Sequence, residues 1–306
     1  MKLGFFLLFL FTVPTVSFEI FDLLGKNCSN SNLRQRESQK SLCSRFSQTS
    51  NLAFAAFEET NEECKKTFAR EKWGCEAKRT EKGSREAAFV DALASGIVGQ
   101  KVARECAEGR LEICGCGKGV DPTSGSTAGC SDNFRFGIAF SKKFLAPQSK
   151  KNAHLMVKLH NQAAGRRLLH ANRVKRCKCH GISGSCQTQT CWWVSPTLSE
   201  FSAVLKVKYE TASKVTLSPR DELIDSETSQ PIIMTQLAFF KPSTDFCDLT
   251  RGRECKDDAH CEDICCRRGF RIEHELETEQ CKCRFVYCCE VQCETCVRII
   301  EKRVCL

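Results

Sequence analysis

Residues Cys177 to Trp193 read C-K-C-H-G-I-S-G-S-C-Q-T-Q-T-C-W-W, and the fold is read outward from this stretch. Four cysteines bracket a small hairpin with two serines at its tip. Cys179 and Cys186 can close an inner ring of eight residues and Cys177 and Cys191 an outer one. Closing a ring of that size is worth roughly 2.5 kcal/mol in chain entropy. Gly181, Ser183, Gly184 and Ser185 inside the ring have almost no capacity to form a core. The staples therefore hold the tip out, and a chemically addressed hydroxyl explains the tip better than stability does.

The compartment follows from the rest of the chain. Residues 1–17 carry Lys2, an apolar run from Leu3 to Val13, and small residues Thr15 and Ser17 before a plausible cleavage point, which is the pattern of a secretory signal peptide. That run is too short to span a bilayer, and no later segment reaches the eighteen or so apolar residues required. All 24 cysteines lie beyond it, and this even count in an exported chain reads as a disulfide framework. Zinc is the competing use of such cysteines. The close pairs here are C-x-C (Cys114 with Cys116, Cys177 with Cys179, Cys281 with Cys283), no histidine pair is spaced as a ligand set, and thiolates oxidise during export, so no metal is expected.

Composition divides the chain. An N-terminal domain over 18–217 reads as a helical bundle, with helices expected at about Leu52–Arg70, Ser84–Glu108 and Lys151–Val174. Phe89, Leu93, Ile97 and Val102 mark the core face of the second; Leu155, Leu159 and Ala163 mark that of the third, which Gly165 weakens. Gly96 and Gly99 allow close helix approach. The segment 218–243 is polar and weakly patterned at its start and reads as a linker. In 244–306, half of the 24 cysteines crowd into a stretch with little apolar sequence, so bridged β-hairpins replace an ordinary core. The expected class is α+β: a disulfide-stapled helical bundle with protruding hairpins, then a cysteine-rich domain of disulfide-linked β-hairpins.

Charge is asymmetric as well as positive. The formal net charge is +9, or about +8 once Lys2 leaves, yet Asn133 to Ser199 contains no Asp or Glu. Lys142, Lys143, Lys150, Lys151, Arg166, Arg167, Arg173, Lys175 and Arg176 fall in this acid-free stretch, with Arg135, Lys158 and Lys178. Export excludes nucleic acid as the partner, which leaves sulfated glycans such as heparan sulfate, or anionic membrane surfaces, bound by salt-sensitive electrostatics.

Two enzymatic readings compete. A nucleophile elbow needs G-x-S-x-G, but Ser185 stands where the second glycine belongs, and the loop lies in a hairpin instead of a strand-to-helix turn. His180 lacks an orienting carboxylate anywhere in the acid-free stretch. A secreted phospholipase has a histidine close after its paired cysteines, whereas Arg267, Arg268 and Gly269 follow Cys265 and Cys266. The chain is read as a non-enzyme.

The hairpin resembles the signature of the Wnt family of secreted, lipid-modified signalling glycoproteins. The resemblance extends through S-R-E-A-A-F at Ser84–Phe89, C-A-E-G at Cys106–Gly109, I-C-G-C at Ile113–Cys116, H-N-Q-A-A-G-R at His160–Arg166 and the C-terminal cysteine series. It implies that Ser183 carries a mono-unsaturated fatty acyl ester added by the acyltransferase Porcupine, and that the carrier Wntless exports the product. It implies that Gly181, Ile182, Ser183 and Gly184 enter a groove on the cysteine-rich domain of Frizzled receptors. A C-terminal finger with Phe285, Tyr287, Cys288, Cys289 and Val291 at its tip would grip the same domain, and an LRP-type co-receptor would join. Adjacent Cα atoms sit about 3.8 Å apart, below the usual range for a bridge, so a Cys288–Cys289 bridge at this tip is strained and suits a binding surface.

The resemblance also implies the pairs Cys64–Cys75, Cys106–Cys114, Cys116–Cys130, Cys247–Cys266, Cys255–Cys261, Cys265–Cys305, Cys281–Cys296 and Cys283–Cys293, which leaves Cys28 and Cys43 over. The chain departs from the family's pattern where tryptophan is replaced by Thr127 in T-A-G-C and by Tyr287 in the finger. A single glycosylation sequon begins at Asn27, with Cys28 in its middle. Secretion to the extracellular space and matrix is the expected localisation.

Overall fold

The serine at the start of S-R-E-A-A-F begins the helix on which the rest of the protein is assembled. In the computed structural model, which describes residues 23–29, 37–121, 126–146, 152–287 and 290–306, the Ser84 hydroxyl accepts the Ala87 amide at 3.2 Å and caps a helix over Arg85–Ala107. Gly109 at φ +70° follows its last turn. The helix is buried around its whole circumference, so it sits at the centre of the bundle instead of presenting one stripe.

In chain order the helices are α1 (Glu37–Arg45), α2 (Ser47–Thr67), α3 (Arg85–Ala107), α4 (Phe134–Phe144), α5 (Ala153–Ala171), α6 (Leu198–Glu210) and α7 (Asp258–Ile264). The strands are β1 (Ser126–Ala128), β2 (Val174–Cys179), β3 (Gln189–Val194), β4 (Ser213–Leu217), β5 (Leu223–Asp225), β6 (Ala238–Phe239), β7 (Glu254–Cys255), β8 (Phe270–Val286) and β9 (Glu290–Cys305). They form three small sheets ordered β1-β3-β2, β5-β4-β6 and β7-β9-β8. The mixture of helices and strands is the expected α+β class.

Around α3 pack α2, α4, α5 and α6, and glycines set how closely. A Cβ on Gly165 would stand 2.0 Å from the Ala92 carbonyl oxygen, one on Gly137 2.1 Å from that of Gly99, and one on Gly96 2.3 Å from the Phe201 ring. Phe54, Phe57, Phe89, Phe144, Phe201, Leu93 and Ile97 fill the space between. Each such side chain contributes about 1.5–3 kcal/mol by leaving water. The third expected helix corresponds to α5, but Leu159 is 38% exposed and not core. Gly165 decides the buried face by letting the α5 backbone lie against α3, and Leu159 projects off it.

The segment 218–243 starts as an exposed loop but does not end as a free linker. Leu237 and Ala238 are fully buried, and the Asn161 side chain brackets Ala238 by donating to its carbonyl (2.9 Å) and accepting its amide (2.8 Å). The His160 ring meets the Gln236 carbonyl at 2.8 Å, and its burial, with Arg167 nearby, holds its pKa below the usual histidine value. Asn161 supplies amide contacts that an edge strand needs and that no period in the segment itself announces.

The C-terminal domain is built on one short helix, α7, and one long ribbon, β8–β9, with β7 paired to β9 at its base. Its core is mostly sulfur: Cys255, Cys261, Cys265 and Cys305 surround Ile264, with Phe270 at the margin. The cluster Cys255, Cys265 and Cys305 has metal-like proximity, but its sulfurs are engaged in the bridges Cys255–Cys261 and Cys265–Cys305. Polar contacts dock this domain on the bundle: Lys72 to Asp263 at 2.8 Å, the His260 ring to the Arg70 carbonyl at 2.8 Å, and Arg79 to Asp248. The segment 1–17, expected to be a signal peptide, lies outside the described residues.

Candidate functional site: a stapled hairpin and a ribbon tip

Two protrusions carry the candidate residues. The first is the β2–β3 hairpin, with Arg176 opposite Trp192, Cys177 opposite Cys191 and Lys178 opposite Thr190. Bridges Cys177–Cys191 and Cys179–Cys186 cross it in the nested order. Beyond the inner bridge the chain closes on itself: the Gly181 amide donates to the Ser185 carbonyl (2.8 Å), Gly184 to Gly181 (2.9 Å) and Ser185 to Ile182 (3.1 Å). This closure requires Gly181, because a Cβ there would stand 2.0 Å from the Ser185 hydroxyl and 2.5 Å from its carbonyl oxygen.

Ser183 sits at the apex with φ +57° and ψ 27°, a left-handed conformation that costs a non-glycine residue of order 1–3 kcal/mol. That geometry turns the side chain outward. Ser183 is exposed, and among the described residues no group hydrogen-bonds its hydroxyl. Ile182 beside it is 91% exposed, an apolar side chain held in water. Ser185 is instead half-buried and both of its backbone groups serve the turn, so the two serines are not equivalent.

In the stem the His180 ring is held by hydroxyl groups. His180 directs its ring nitrogen to the Thr190 hydroxyl at 3.0 Å, and Thr190 meets the Thr127 hydroxyl at 2.9 Å. Thr127, where the family's pattern has tryptophan, lies on β1, which runs parallel to β3, and completes this line of hydroxyls. Neither Thr127 nor Thr190 can do a carboxylate's work on the imidazole. Arg173 lies over the Trp193 ring, 4.5 Å from its centroid, and fixes the base of the hairpin to the bundle.

The second protrusion is the distal end of the β8–β9 ribbon. Phe285 faces Val291 and Val286 faces Glu290; Tyr287 at the turn is 98% exposed. A register shift between Cys281 and Arg284, with Lys282 at φ +47°, bends the ribbon, and bridges Cys281–Cys296 and Cys283–Cys293 clamp that bend. Cys288 and Cys289 lie outside the described residues. The remaining bridges are Cys28–Cys43, Cys64–Cys75, Cys106–Cys114, Cys116–Cys130 and Cys247–Cys266.

The basic face needs correcting at Arg166 and at Lys158, which is 5% exposed. Lys142, Lys143, Arg167, Lys175 and Arg176 are exposed and Arg173 half-buried, but Arg166 is 6% exposed and cannot meet a glycan. Burial, reinforced by Arg167, pushes its pKa down to about 10. Helical phase, invisible in a count of charges, turns Arg166 inward while Arg167 faces out. Lys150 and Lys151 lie outside the described residues. Close by, Lys118, Arg135, His170 and Arg173 line a cavity of about 540 Å³ against Trp193. Asn27 is exposed, and its side-chain oxygen accepts the Ser29 amide at 2.9 Å.

One feature the sequence reading passed over is the alternation F-R-I-E-H-E-L-E-T-E-Q from Phe270 to Gln280. A period of two is the signal of a two-faced strand, and it places Ile272 and Leu276 on one face of the ribbon and the glutamates on the other.

Comparison with known proteins agrees across most of the chain. The model of the wnt family matches residues 31–306. Protein mom-2 of Caenorhabditis elegans is 35% identical over 286 residues, covering 79% of this chain and 78% of that protein. Protein Wnt-11 of Gallus gallus is 33% identical over 300 residues, covering 88% and 85%. A chain in the solved structure of human WLS in complex with WNT8A superposes with a TM-score of 0.63 at 32% identity, over 85% of this chain and 95% of that one.

Proposed function

The chain belongs to the Wnt family of signalling ligands, and from that premise we propose that it is a secreted ligand of Frizzled receptors, acylated on Ser183. The observation that carries the proposal is the hairpin apex: an exposed hydroxyl without a partner among the described residues, in a left-handed turn between Ile182 and Gly184, and stapled twice. Such a tip gives an acyltransferase of the Porcupine type access to the oxygen from outside. A mono-unsaturated fatty acyl ester there gains about 0.8 kcal/mol for each buried methylene, on the order of 10 kcal/mol gross for about 14 of them. Ile182 adds to the same apolar tip, and together they fit a groove on the Frizzled cysteine-rich domain.

The ribbon tip is the second contact. Phe285, Tyr287 and Val291, with Cys288 and Cys289 between them, form the finger that grips the same receptor domain. A chain this lipophilic needs a carrier, and the likeness to a chain in the WLS–WNT8A complex supports Wntless in that role. Among the described residues no helix is long and apolar enough to cross a membrane. Lys142, Lys143, Arg167, Arg173, Lys175 and Arg176 hold the ligand on heparan sulfate in the extracellular matrix, an LRP-type co-receptor joins the complex, and Asn27 is the glycosylation acceptor. In domain terms, 18–217 presents the hairpin, 218–243 joins the parts and 244–306 presents the finger.

The test is Ser183→Ala beside Ser185→Ala, read by intact mass and by binding to the Frizzled domain. The first variant should lose the acyl mass and the binding, and the second should keep most of both. Retained acyl mass in Ser183→Ala would overturn the assignment. Turnover of ester substrates by purified protein, lost in that variant, would favour an esterase instead.

A further inference from the structure

We propose that the cavity at the base of the stapled hairpin binds one sulfated sugar unit, its sulfate held by Lys118, Arg135 and Arg173 and its ring lying on Trp193 and Phe134. That ligand class rests on the glycan reading of the basic face, and the cavity narrows it to a discrete site. The volume of about 540 Å³ falls inside the range of roughly 300–1,000 Å³ usual for small-molecule sites.

Four segments form the walls, and other contacts fix each in place. Lys118 follows Cys116, which is bridged to Cys130, and Gly117, whose amide donates to the Ser131 carbonyl at 2.7 Å. A Cβ on Gly117 would stand 2.2 Å from the Asp132 carbonyl oxygen, so glycine lets this loop lie against the next wall. Arg135 is in the first turn of α4, which the Asn133 side chain caps by accepting the Phe136 amide at 3.1 Å. The positive end of the α4 dipole therefore lies at the same wall. Arg173 follows α5; its guanidinium donates to the His170 carbonyl at 2.9 Å and lies over Trp193, which β3 supplies.

The positive charge of this cavity is not answered from within. Among the described residues the side chains of Lys118 and Arg135 have neither an ion-pair nor a hydrogen-bond partner. Cations elsewhere are paired: Arg110 with Glu105, Arg298 with Glu277 and Arg303 with Asp258. Two carboxylates share the walls. Asp132 is buried, and its Oδ2 accepts the Ser195 amide at 2.7 Å and the Ser195 hydroxyl at 2.6 Å, so the protein itself satisfies it. Asp121 is exposed, where water and salt screen it. An oxyanion completes the donors that remain.

Inorganic sulfate would use only half of the site, because Trp193, Phe134 and Val120 offer an apolar wall beside the cations. A sugar ring carrying sulfate has both an apolar face and a charged substituent. The open basic surface leads such a chain here: Lys142 lies two turns along α4 from Arg135, about 10 Å at 1.5 Å per residue, and Lys175 pairs with Trp193 across the hairpin. A glycan on that surface reaches the cavity with one of its units.

Calorimetry on the full secreted chain, after enzymatic cleavage of any acyl ester, tests the site with a heparin tetrasaccharide, its desulfated counterpart and inorganic sulfate. The sulfated tetrasaccharide should bind one to one, inorganic sulfate should compete weakly, and the desulfated form should not bind. Lys118→Gln and Arg135→Gln should each weaken binding roughly tenfold, as expected for one hydrogen bond to a charged group. Lys241→Gln, an equal loss of charge outside the cavity, should not. All three residues are exposed, so bridge content should stay intact in every variant. No binding up to about 1 mM, equal weakening by Lys241→Gln, or inorganic sulfate bound as tightly as the tetrasaccharide would overturn the proposal. Elution from a heparin column after charge reversal at Arg167, Lys175 and Arg176 reads the open face separately. Unchanged elution there with tetrasaccharide bound here would refute the face and leave the cavity, and the opposite pair of results would refute the cavity alone.

Discussion

Gly181→Ala adds one methyl group to the hairpin apex, and the surroundings of that methyl are known atom by atom. The new Cβ would stand 2.0 Å from the Ser185 hydroxyl oxygen and 2.5 Å from the Ser185 carbonyl oxygen. The hydroxyl can turn to another rotamer. The carbonyl cannot withdraw without breaking the 2.8 Å hydrogen bond that it accepts from the Gly181 amide. Overpacking of this kind costs about 1–3 kcal/mol. Taking about 2 kcal/mol, the closed apex loses roughly a factor of 30 against rearranged tips, since 1.4 kcal/mol is tenfold.

The core and both hairpin bridges are untouched, so the thermal midpoint should stay close to the parent's while the acylated share of secreted protein, read by intact mass, falls to a few per cent. Ser185→Gly in the same background relieves only the hydroxyl overlap and should restore little. Parent-level acylation and receptor affinity in Gly181→Ala would refute the claim that the closed turn presents Ser183.

Tyr287→Ala should leave secretion and bridge content intact, because the ring is 98% exposed, yet weaken Frizzled binding by about 1–3 kcal/mol as an aromatic anchor. Poor secretion with normal affinity would place it in a core. Reversing charge at Arg167, Lys175 and Arg176 should lower the salt that elutes the protein from heparin, whereas Arg166→Gln should damage folding instead; an unchanged elution point leaves a merely solvated surface. His160 is held below its usual pKa by burial, so from about pH 6.5 downward the unfolded chain binds more protons than the folded one, and stability falls with pH across that window. His160→Gln should flatten the pH 7.5 to 5.5 slope of the thermal midpoint, and an unaltered slope would remove His160 as its cause.

Much of this was written in the order of residues. Cysteine spacing alone proposed the nested staples at Cys177–Cys191 and Cys179–Cys186, since short rings need only near neighbours. Glycine and serine content marked Ser183, and hydrophobic spacing located the helices α2, α3 and α5 and the core positions Phe89, Leu93, Ile97 and Val102 of α3. These are local properties, set by periods and loop lengths that a linear reading contains.

What the tertiary structure decided were matters of direction. Arg166 and Arg167 are adjacent in sequence and identical in charge, yet one is buried and the other meets water, because the contact of Gly165 with Ala92 fixes the rotation of α5. Leu159 lost its expected place in the core for the same reason. Leu237 and Ala238 became core because segments far away in sequence complete their hydrogen bonds, Asn161 those of Ala238 and the Ser213 amide that of the Leu237 carbonyl. Ser183 and Ser185 differ only because the turn closes on one and leaves the other at its apex. Sequence determines which groups are present and how far apart along the chain; which of them face water is set by contacts between distant segments, and no local period encodes those.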